Sequence, residues 1–587
     1  MNIGWIALGA RDGEIVLGEA WDARAALERA LATFRAGCRD VRNESNALTN
    51  LAWAWLQAGD VASARATLSD ARAAWAHPDS EVALFWVELE GRIALAEKRY
   101  AAALALFDRL ARLASVSGAR GDAWRAADGR AAALAALGKR AGAVAASAEA
   151  ERLLEEESRG VPLGEGRSQF LGARERSARR RVEILLDAGD PAAALAAARA
   201  ARGRVLADAE RLDRVAALTP DARARWEVSL GAYRAERDAL ARAAADDWSL
   251  SSAGLTKAIA DRAARESKLR AALDDAVAAL PATARASTDL PARGSGVVVV
   301  AYFPLLRGWA AFASDGAETI AVRVASIDPS AAPDALGRTI LDPLKKLVAR
   351  ASRVRVVALG PLDAIDLHAL SFDDQPLVAH ATVEYALDLS AAATPAPRGT
   401  RALVVADPTN DLRAARDEGR AIAGALGARG AVTLLEGPAA TRPAVQAALA
   451  SADLFHYAGH GVFGGRDGWA SALPLADGVP LGVADILALP RAPREVLLAG
   501  CDTARSAHST SSGIGVAQAF LAVGSDAVVA STREIDDAAT AELLAALHRA
   551  RADDPTRDLA SALREAQLTV GARRGPGAWS AFRVLRR

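Results

Sequence analysis

Two short segments near the C-terminus of this 587-residue chain carry side chains suited to nucleophilic chemistry. One reads Leu454-Phe455-His456-Tyr457-Ala458-Gly459-His460-Gly461, and the other reads Val496-Leu497-Leu498-Ala499-Gly500-Cys501-Asp502-Thr503. Each is an apolar, strand-like run that ends in a glycine followed by one reactive side chain. A free thiol has a pKa of about 8.5 and is mostly protonated at neutral pH. A neighbouring imidazole can take that proton and later deliver it to a leaving amine, so His460 and Cys501 form a candidate catalytic dyad. The tetrahedral intermediate of such a reaction needs N–H donors for its oxyanion. The backbone N–H of Cys501 is one candidate donor. That of Gly461 is the other, because glycine permits close backbone approach.

His456 opens a competing reading, in which His456, His460 and Cys501 ligate a metal. No Glu separates the two histidines as in a zinc protease helix, and the segment reads as strand. No metal is therefore expected, and His456 is expected to be a buried partner that supports the site by hydrogen bonding. The dyad chemistry itself needs no cofactor.

These groups need a scaffold that brings two strand ends together. From about residue 295 onward, apolar runs alternate with helical patterns. Strands are expected at Val297–Phe303, Trp309–Ala313, Thr319–Val324, Arg353–Leu359, Ala402–Ala406, Val432–Leu435, Asp453–Ala458, Glu495–Ala499 and Ser525–Ala530. Helices are expected at Pro333–Ala349, Arg413–Leu426, Arg442–Ala450, Val483–Ala488, Gly513–Ala522 and Ala538–Ala550. Such alternation predicts a mostly parallel sheet covered on both faces. In these sheets, ligands and catalytic groups gather at the carboxyl ends of the strands, where His460 and Cys501 fall.

Residues from about 20 to 280 read instead as helix throughout. A helix-turn-helix pattern recurs, with turns at Gly59, Lys98, Gly138 and Gly189. Small residues at helix contact points allow close approach, and a large residue such as Phe107 fills the space against the next pair. The pattern resembles the tetratricopeptide (TPR) repeat, although the turns are spaced by 39, 40 and 51 residues, longer than the nominal period of about 34. An ordinary Ala-rich helical bundle is the alternative. Residues 207–290 lose the repeat and read as long charged amphipathic helices, which end in a break at Pro281, Pro291, Gly294 and Gly296. The expected organisation is therefore 1–206 TPR-like repeats, 207–290 helical linker and 291–587 α/β domain.

Set in that α/β domain, the two chemical segments resemble the active-site blocks of CHAT domains, the caspase-like, TPR-associated domains of bacteria related to caspases and separase. The resemblance extends over most of residues 295–585. It includes Leu403–Pro408, the helix holding Glu418, Leu434–Arg442, Ala519–Ser531, the pair Asp537 and Thr540, and a C-terminal strand at Trp579-Ser580-Ala581-Phe582. The separation of 41 positions from His460 to Cys501 is close to the roughly 50 of caspases. The resemblance implies a cysteine endopeptidase of caspase-like fold. Its substrate would be a specific partner protein, and a protein regulator would act on the TPR-like half, as in bacterial defence. A non-enzymatic TPR–CHAT adaptor is the alternative.

Two features compete for the substrate pocket. A carboxylate such as Asp502, Asp536 or Asp537 would favour a basic residue before the scissile bond, as in separase. Ser531-Thr532-Arg533 departs from the Leu-Trp usual after this Ser in CHAT domains. It is nearer to the Ser-Trp-Arg of caspases, whose Arg helps bind an acidic residue. The alternative for Arg533 is a surface pair with Glu534, Asp536 or Asp537. The loop Arg505–Ser512 is expected to order only on activation.

Composition excludes several other classes. Lys plus Arg and Asp plus Glu are 72 each, a net charge of zero, which argues against a dedicated nucleic-acid binder. Cys38 and Cys501, 463 positions apart, cannot build a disulfide framework or zinc ribbon, so a reducing, cytoplasmic compartment is expected. No signal peptide is recognisable, and the apolar strings are too short to span a bilayer.

Overall fold

The structure of the chain, a computed structural model, describes residues 23–587 apart from 39, 77, 159–169, 173, 210–217, 246–249, 263–264, 266–267, 269–289, 358–359, 389–398, 400, 466–467, 488, 490, 506–513 and 535. The chain divides into two compact units. Residues 1–162, 169–188 and 214–283 make the first, and residues 163–168, 189–213 and 284–587 the second.

The first unit is helical: α1 (Ala23–Thr33), α2 (Val41–Gln57), α3 (Val61–Ala74), α4 (Ser80–Ala96), α5 (Tyr100–Ser117), α6 (Arg120–Ala136), α7 (Arg140–Ser158) and α8 (Glu175–Asp187). Aspartates start several of these helices by accepting from otherwise unpaired N–H groups. Asp40 takes those of Arg42 and Asn43, Asp60 that of Ser63, and Asp79 that of Val82. The four turn positions Gly59, Lys98, Gly138 and Gly189 all adopt left-handed φ values. Each helix packs on its sequence neighbours, and α2 also meets α4, α4 meets α6 and α6 meets α8. Phe107 fills the gap between helices. A Cβ on Gly91 would lie 2.8 Å from its ring, and one on Gly129 would collide with it. Small residues on two helices thus seat one large residue from a third.

The second unit begins with α9 (Pro191–Ala209), which packs against the sheet domain. In the buried contact between them, Arg199 grips Asp388 with Nη2–Oδ1 at 2.7 Å and Nε–Oδ2 at 3.1 Å. Arg202 donates to the carbonyl of Ala386. A later helix, α10 (Pro220–Ala245), falls in the sequence range of the first unit. None of the described helices is long and apolar enough to cross a membrane.

Among the described residues, eleven strands form the main sheet: β1 (Val297–Pro304), β2 (Trp309–Ser314), β3 (Thr319–Val324), β4 (Arg353–Val357), β5 (Thr382–Ala386), β6 (Ala402–Ala406), β7 (Val432–Glu436), β8 (Leu454–Ala458), β9 (Glu495–Leu498), β10 (Ala527–Ser531) and β11 (Phe582–Arg586). Their order is β3-β2-β1-β4-β5-β11-β10-β9-β8-β6-β7. Among the described residues of this sheet, pairing is antiparallel along β1-β2-β3 and between β10 and β11 and parallel elsewhere. Strands β7-β6-β8-β9-β10 run parallel. They place the loops after β6, β8 and β9 side by side. Helices α11 (Arg413–Gly427), α12 (Arg442–Leu449), α13 (Val516–Val523), α14 (Asp537–Asp553) and α15 (Leu559–Arg574) complete the unit.

Four features differ from the sequence expectation. Pro333–Ala349 is not one helix but four short turns, Pro333–Leu336, Gly337–Leu341, Asp342–Leu344 and Lys345–Val348. Pro343 has no N–H to offer an α-helix interior. Strand β5 was not expected, because Glu384 interrupts its apolar run. Yet Glu384 is fully buried and held by Arg353 at 2.7 Å, Arg355 at 2.9 Å and Arg586 at 3.2 Å. Helix α15 was also not expected. The last strand starts at Phe582 and runs to Arg586, rather than over residues 579–582.

Candidate active site

His460 and Cys501 line one cleft at the carboxyl ends of the parallel strands, together with Leu412, Ala415, Glu418, Ser531, Asp537, Thr540 and Phe582. The loops that carry them are pressed backbone against backbone. A Cβ on Gly500 would lie 2.9 Å from both the Gly459 oxygen and the Gly461 nitrogen. One on Gly461 would collide with the carbonyl of Cys501. Gly461 and Gly500 therefore do one job, which is to let the His loop and the Cys loop touch, while Gly459 makes room for Pro408 and Tyr457. Close contact of this kind demands an absent side chain rather than a flexible backbone.

Several hydrogen bonds fix the nucleophile loop. Ser531 is buried and donates to the Gly500 carbonyl at 2.8 Å, and Thr503 donates to the same oxygen at 2.9 Å. The N–H of Ala504 donates to the Ser531 carbonyl at 2.7 Å. Asp502 adopts a left-handed φ of +57°, a conformation that Asp tolerates better than most residues. The thiol of Cys501 is half-buried and free.

On the His side, the hydroxyl of Tyr457 lies 2.9 Å from the carbonyl oxygens of His460 and Pro474, which ties the loop down. The imidazole Nε2 of His460 donates to Asp411 Oδ2 at 3.2 Å. With Nε2 so engaged, Nδ1 is the ring nitrogen left to accept a proton from the thiol. Among the described residues no hydrogen bond joins His460 to Cys501.

Asp411 is a member of the site that sequence reasoning did not single out. It follows β6 in the loop Asp407-Pro408-Thr409-Asn410-Asp411. Buried Asp407 organises that loop by accepting the N–H groups of Asp411 at 3.0 Å and Leu412 at 2.9 Å, and the Arg416 guanidinium at 3.1 Å. Thr409 donates to Asp411 at 2.5 Å. That bond, with the one from His460, holds the Asp411 carboxyl below its usual pKa. The signal was a cluster of short polar residues at a strand's carboxyl end, where ligands gather in such sheets.

The other residues named from sequence are placed as follows. His456 is fully buried, and its Nε2 lies 2.9 Å from Glu418 Oε1. Because Glu418 lines the cleft, this bond links the core to the site. Among the described residues, no group of three His, Cys, Asp or Glu is placed to hold a metal ion. Arg533 does not pair with Glu534, Asp536 or Asp537. It reaches Asp366 and donates to Ser580 at 2.6 Å. Asp366 also accepts from Thr532 at 3.1 Å and faces Arg583 at 3.5 Å, so Arg533 belongs to a polar cluster that braces the strand end. Asp536 caps α14 through the N–H of Ala539. Residues 506–512 of the expected mobile loop lie outside the described residues. The cleft itself is narrow, about 30 Å³, room for a water but not for a long side chain.

Comparison with known families decides the kinship of this half. Residues 331–587 match the family model described as the CHAT domain. This region is a CHAT domain. Its mostly parallel sheet is the fold expected of that caspase-like family. Solved structures similar to the chain include the complex of Porphyromonas gingivalis RgpB pro- and mature domains. That likeness has 11% identity and a TM-score of 0.31, over 43% of this chain and 69% of that one. The Saccharomyces cerevisiae separase–securin complex at 3.0 Å is similar at 8% identity and a TM-score of 0.40, over 99% of this chain and 49% of that one. The chain thus spans about half the length of that separase structure. No curated protein sequence matched.

Proposed function

We propose that the chain is a cysteine endopeptidase whose CHAT domain uses Cys501 as nucleophile and His460 as general base and acid. The observation that carries this reading is the shared cleft of His460 and Cys501, with Asp411 on the far side of the imidazole. His460 Nδ1 takes the thiol proton, and the thiolate sulfur bonds to the substrate carbonyl carbon. The oxyanion is met by the N–H groups of Cys501 and Gly461. The C–N bond breaks as His460 returns the proton to the leaving amine, and water then hydrolyses the thioester. Asp411 fixes the ring's orientation and stabilises the imidazolium.

Glu418 and Asp537 line the cleft, and no Lys or Arg is among its described lining residues. This favours a basic residue before the scissile bond. Arg533 is committed to Asp366 and is a weak candidate for selecting an acidic one. The narrow cleft and the missing His–Cys hydrogen bond fit a resting enzyme that opens when activated. We assign that control to a protein partner bound by the helical half, whose stacked helix pairs suit a TPR-like role. The same two observations also favour the adaptor reading, in which no peptide bond is cut.

The test separates them. Wild type, Cys501→Ala and Asp411→Asn are incubated with fluorogenic peptides carrying Arg or Asp before the reporter, and with proteins encoded beside the chain. Cleavage by wild type that is lost in Cys501→Ala and weakened in Asp411→Asn, with Arg preferred, supports the peptidase. No cleavage of any neighbour, with Cys501 no more reactive than Cys38, supports the adaptor.

A further inference from the structure

A second cavity lies at the other end of the sheet. It has a volume of about 170 Å³ and opens beside Ala402, Leu454 and Glu495, the first residues of β6, β8 and β9. Leu426, Ala425 and Pro555 supply apolar wall. A cavity of roughly 150 Å³ with an apolar lining takes up a benzene-sized molecule.

Charge around this cavity is unbalanced. Arg401, Arg429, Arg494 and Arg551 face Asp453 and Glu495, a surplus of two positive charges. Adding Asp526, paired to Arg494, and Arg491, paired to Asp453, leaves the surplus unchanged. The C-termini of α11 and α14 lie here, and each contributes about half a negative charge. The balance is then about +1. Among the described residues, Arg429 hydrogen-bonds to main-chain carbonyls, those of Arg551 at 2.9 Å and of Ala552, and makes no ion pair with either Asp453 or Glu495.

The floor holds an unsatisfied group. His548 is 8% exposed and lines the cavity, and its Nε2 has no hydrogen-bond partner. Burial keeps its ring neutral. Below it the ring of His456 packs edge-on, with centroids 5.5 Å apart, and His456 Nδ1 is likewise unpartnered. His456 Nε2 then meets Glu418, which lines the cleft of Cys501. Buried polar atoms without partners are uncommon and costly. Here two of them stand in one file between a cavity and the candidate active site.

We propose that this cavity is a second ligand site for a small organic anion about the size of benzoate, and that the His548–His456–Glu418 file transmits its occupancy to the cleft. The ring would rest on Leu426 and Leu454 and the anionic head on the arginine rim. The transmission half rests on the reading of that cleft as the reactive site.

The probes are benzoate and its neutral counterpart benzamide, titrated into the full chain at constant ionic strength and followed by ligand-observed NMR. Saturable benzoate binding in the millimolar range is expected, with benzamide at least fivefold weaker. Ala425→Trp, at an exposed rim position, should fill the cavity and abolish the signal, and Arg429→Ala should weaken it several-fold. Equal binding of the two probes, or undiminished benzoate binding in Ala425→Trp, overturns the site. The second readout is the rate at which iodoacetamide alkylates Cys501. Saturating benzoate should change it at least twofold in wild type and not in Ala425→Trp. Binding without any rate change overturns the transmission. Alkylation reports on the thiol whether or not peptides are cut, so a reactive Cys501 that cleaves nothing would sink the peptidase reading and leave this one standing.

Discussion

The two ends of the parallel strands are built on opposite plans. At the carboxyl ends, loops touch through glycines, hydrogen bonds converge on Gly500 and the cleft is about 30 Å³. At the amino ends, the same strands leave an arginine-rimmed, apolar cavity of about 170 Å³. His460 at the first end is half-exposed and paired with a carboxylate, whereas His548 at the second is buried, neutral and short of a partner. The difference teaches that tight packing here serves geometry. Reacting groups must be held to within fractions of an ångström, while a recognition cavity needs room and a charge.

Changes at the reactive thiol and its base should break the comparison most severely. Cys501→Ala is expected to abolish peptide cleavage, and His460→Ala to lower kcat by about 10³-fold or more, with neither lowering the melting temperature. Retained cleavage in Cys501→Ala would remove the carboxyl end from the chemistry. The next effect in size is steric. Gly461→Ala should destabilise the second unit by roughly 1–3 kcal/mol through overpacking against Cys501. Its loss should appear in urea denaturation alongside slowed alkylation of Cys501, and normal values for both would show that the two loops can separate.

A smaller change is Asp411→Asn, which keeps the loop but weakens its hold on the imidazolium. A fall in kcat of about 10- to 100-fold with little change in KM is expected, less than for a buried triad carboxylate because Asp411 is exposed. A change confined to KM would make Asp411 a substrate contact instead.

The pH dependence of stability separates buried from exposed histidines. Burial lowers the pKa of His368 to about 4, and that of His548 also falls well below 6.5. Their unfolded forms bind protons first, so the stability they permit is complete above pH 6.5 and lost as pH falls toward the folded values. For His368 the loss between pH 6.5 and 4 is about 3 kcal/mol. Denaturant melts at pH 7.5, 6 and 5 should show the decline, and His368→Gln should flatten it. A slope unchanged in that variant would mean that other groups set acid sensitivity. The smallest effect is expected at Arg533. Arg533→Ala should alter the Arg-to-Asp substrate preference by less than about threefold, since its guanidinium is bound to Asp366 and Ser580. A large shift would return Arg533 to the substrate pocket.

Much of the fold was legible because apolar runs of strand length and turn residues are local signals. Eight of the nine expected strands overlap a described strand to within two residues at either end, and Arg353–Leu359 is described as far as Val357. Strand β5 was missed because Glu384 disguised it, and only three arginines from distant segments make its burial tolerable. Helix α15 is a different case. Leu559, Leu563, Ala566 and Val570 are all buried at helical spacing, so its signal was present. In the site, His460 and Cys501 stood out by residue type. Asp411 did not, because one acidic residue in a polar loop looks like any other until the fold brings it to an imidazole.

The sequence by itself determined which residues could react, that they fall at strand ends, and that the chain has a helical half and an alternating half. These follow from residue chemistry and from periods of two and 3.6, which need no knowledge of distant contacts. Tertiary structure alone decided that Asp411 holds His460, that Arg533 turns to Asp366, and that Gly461 and Gly500 let two loops touch. It also placed His548, His456 and Glu418 in one file. Each of these depends on which strands are neighbours, and strand order is set by packing between segments far apart in the chain.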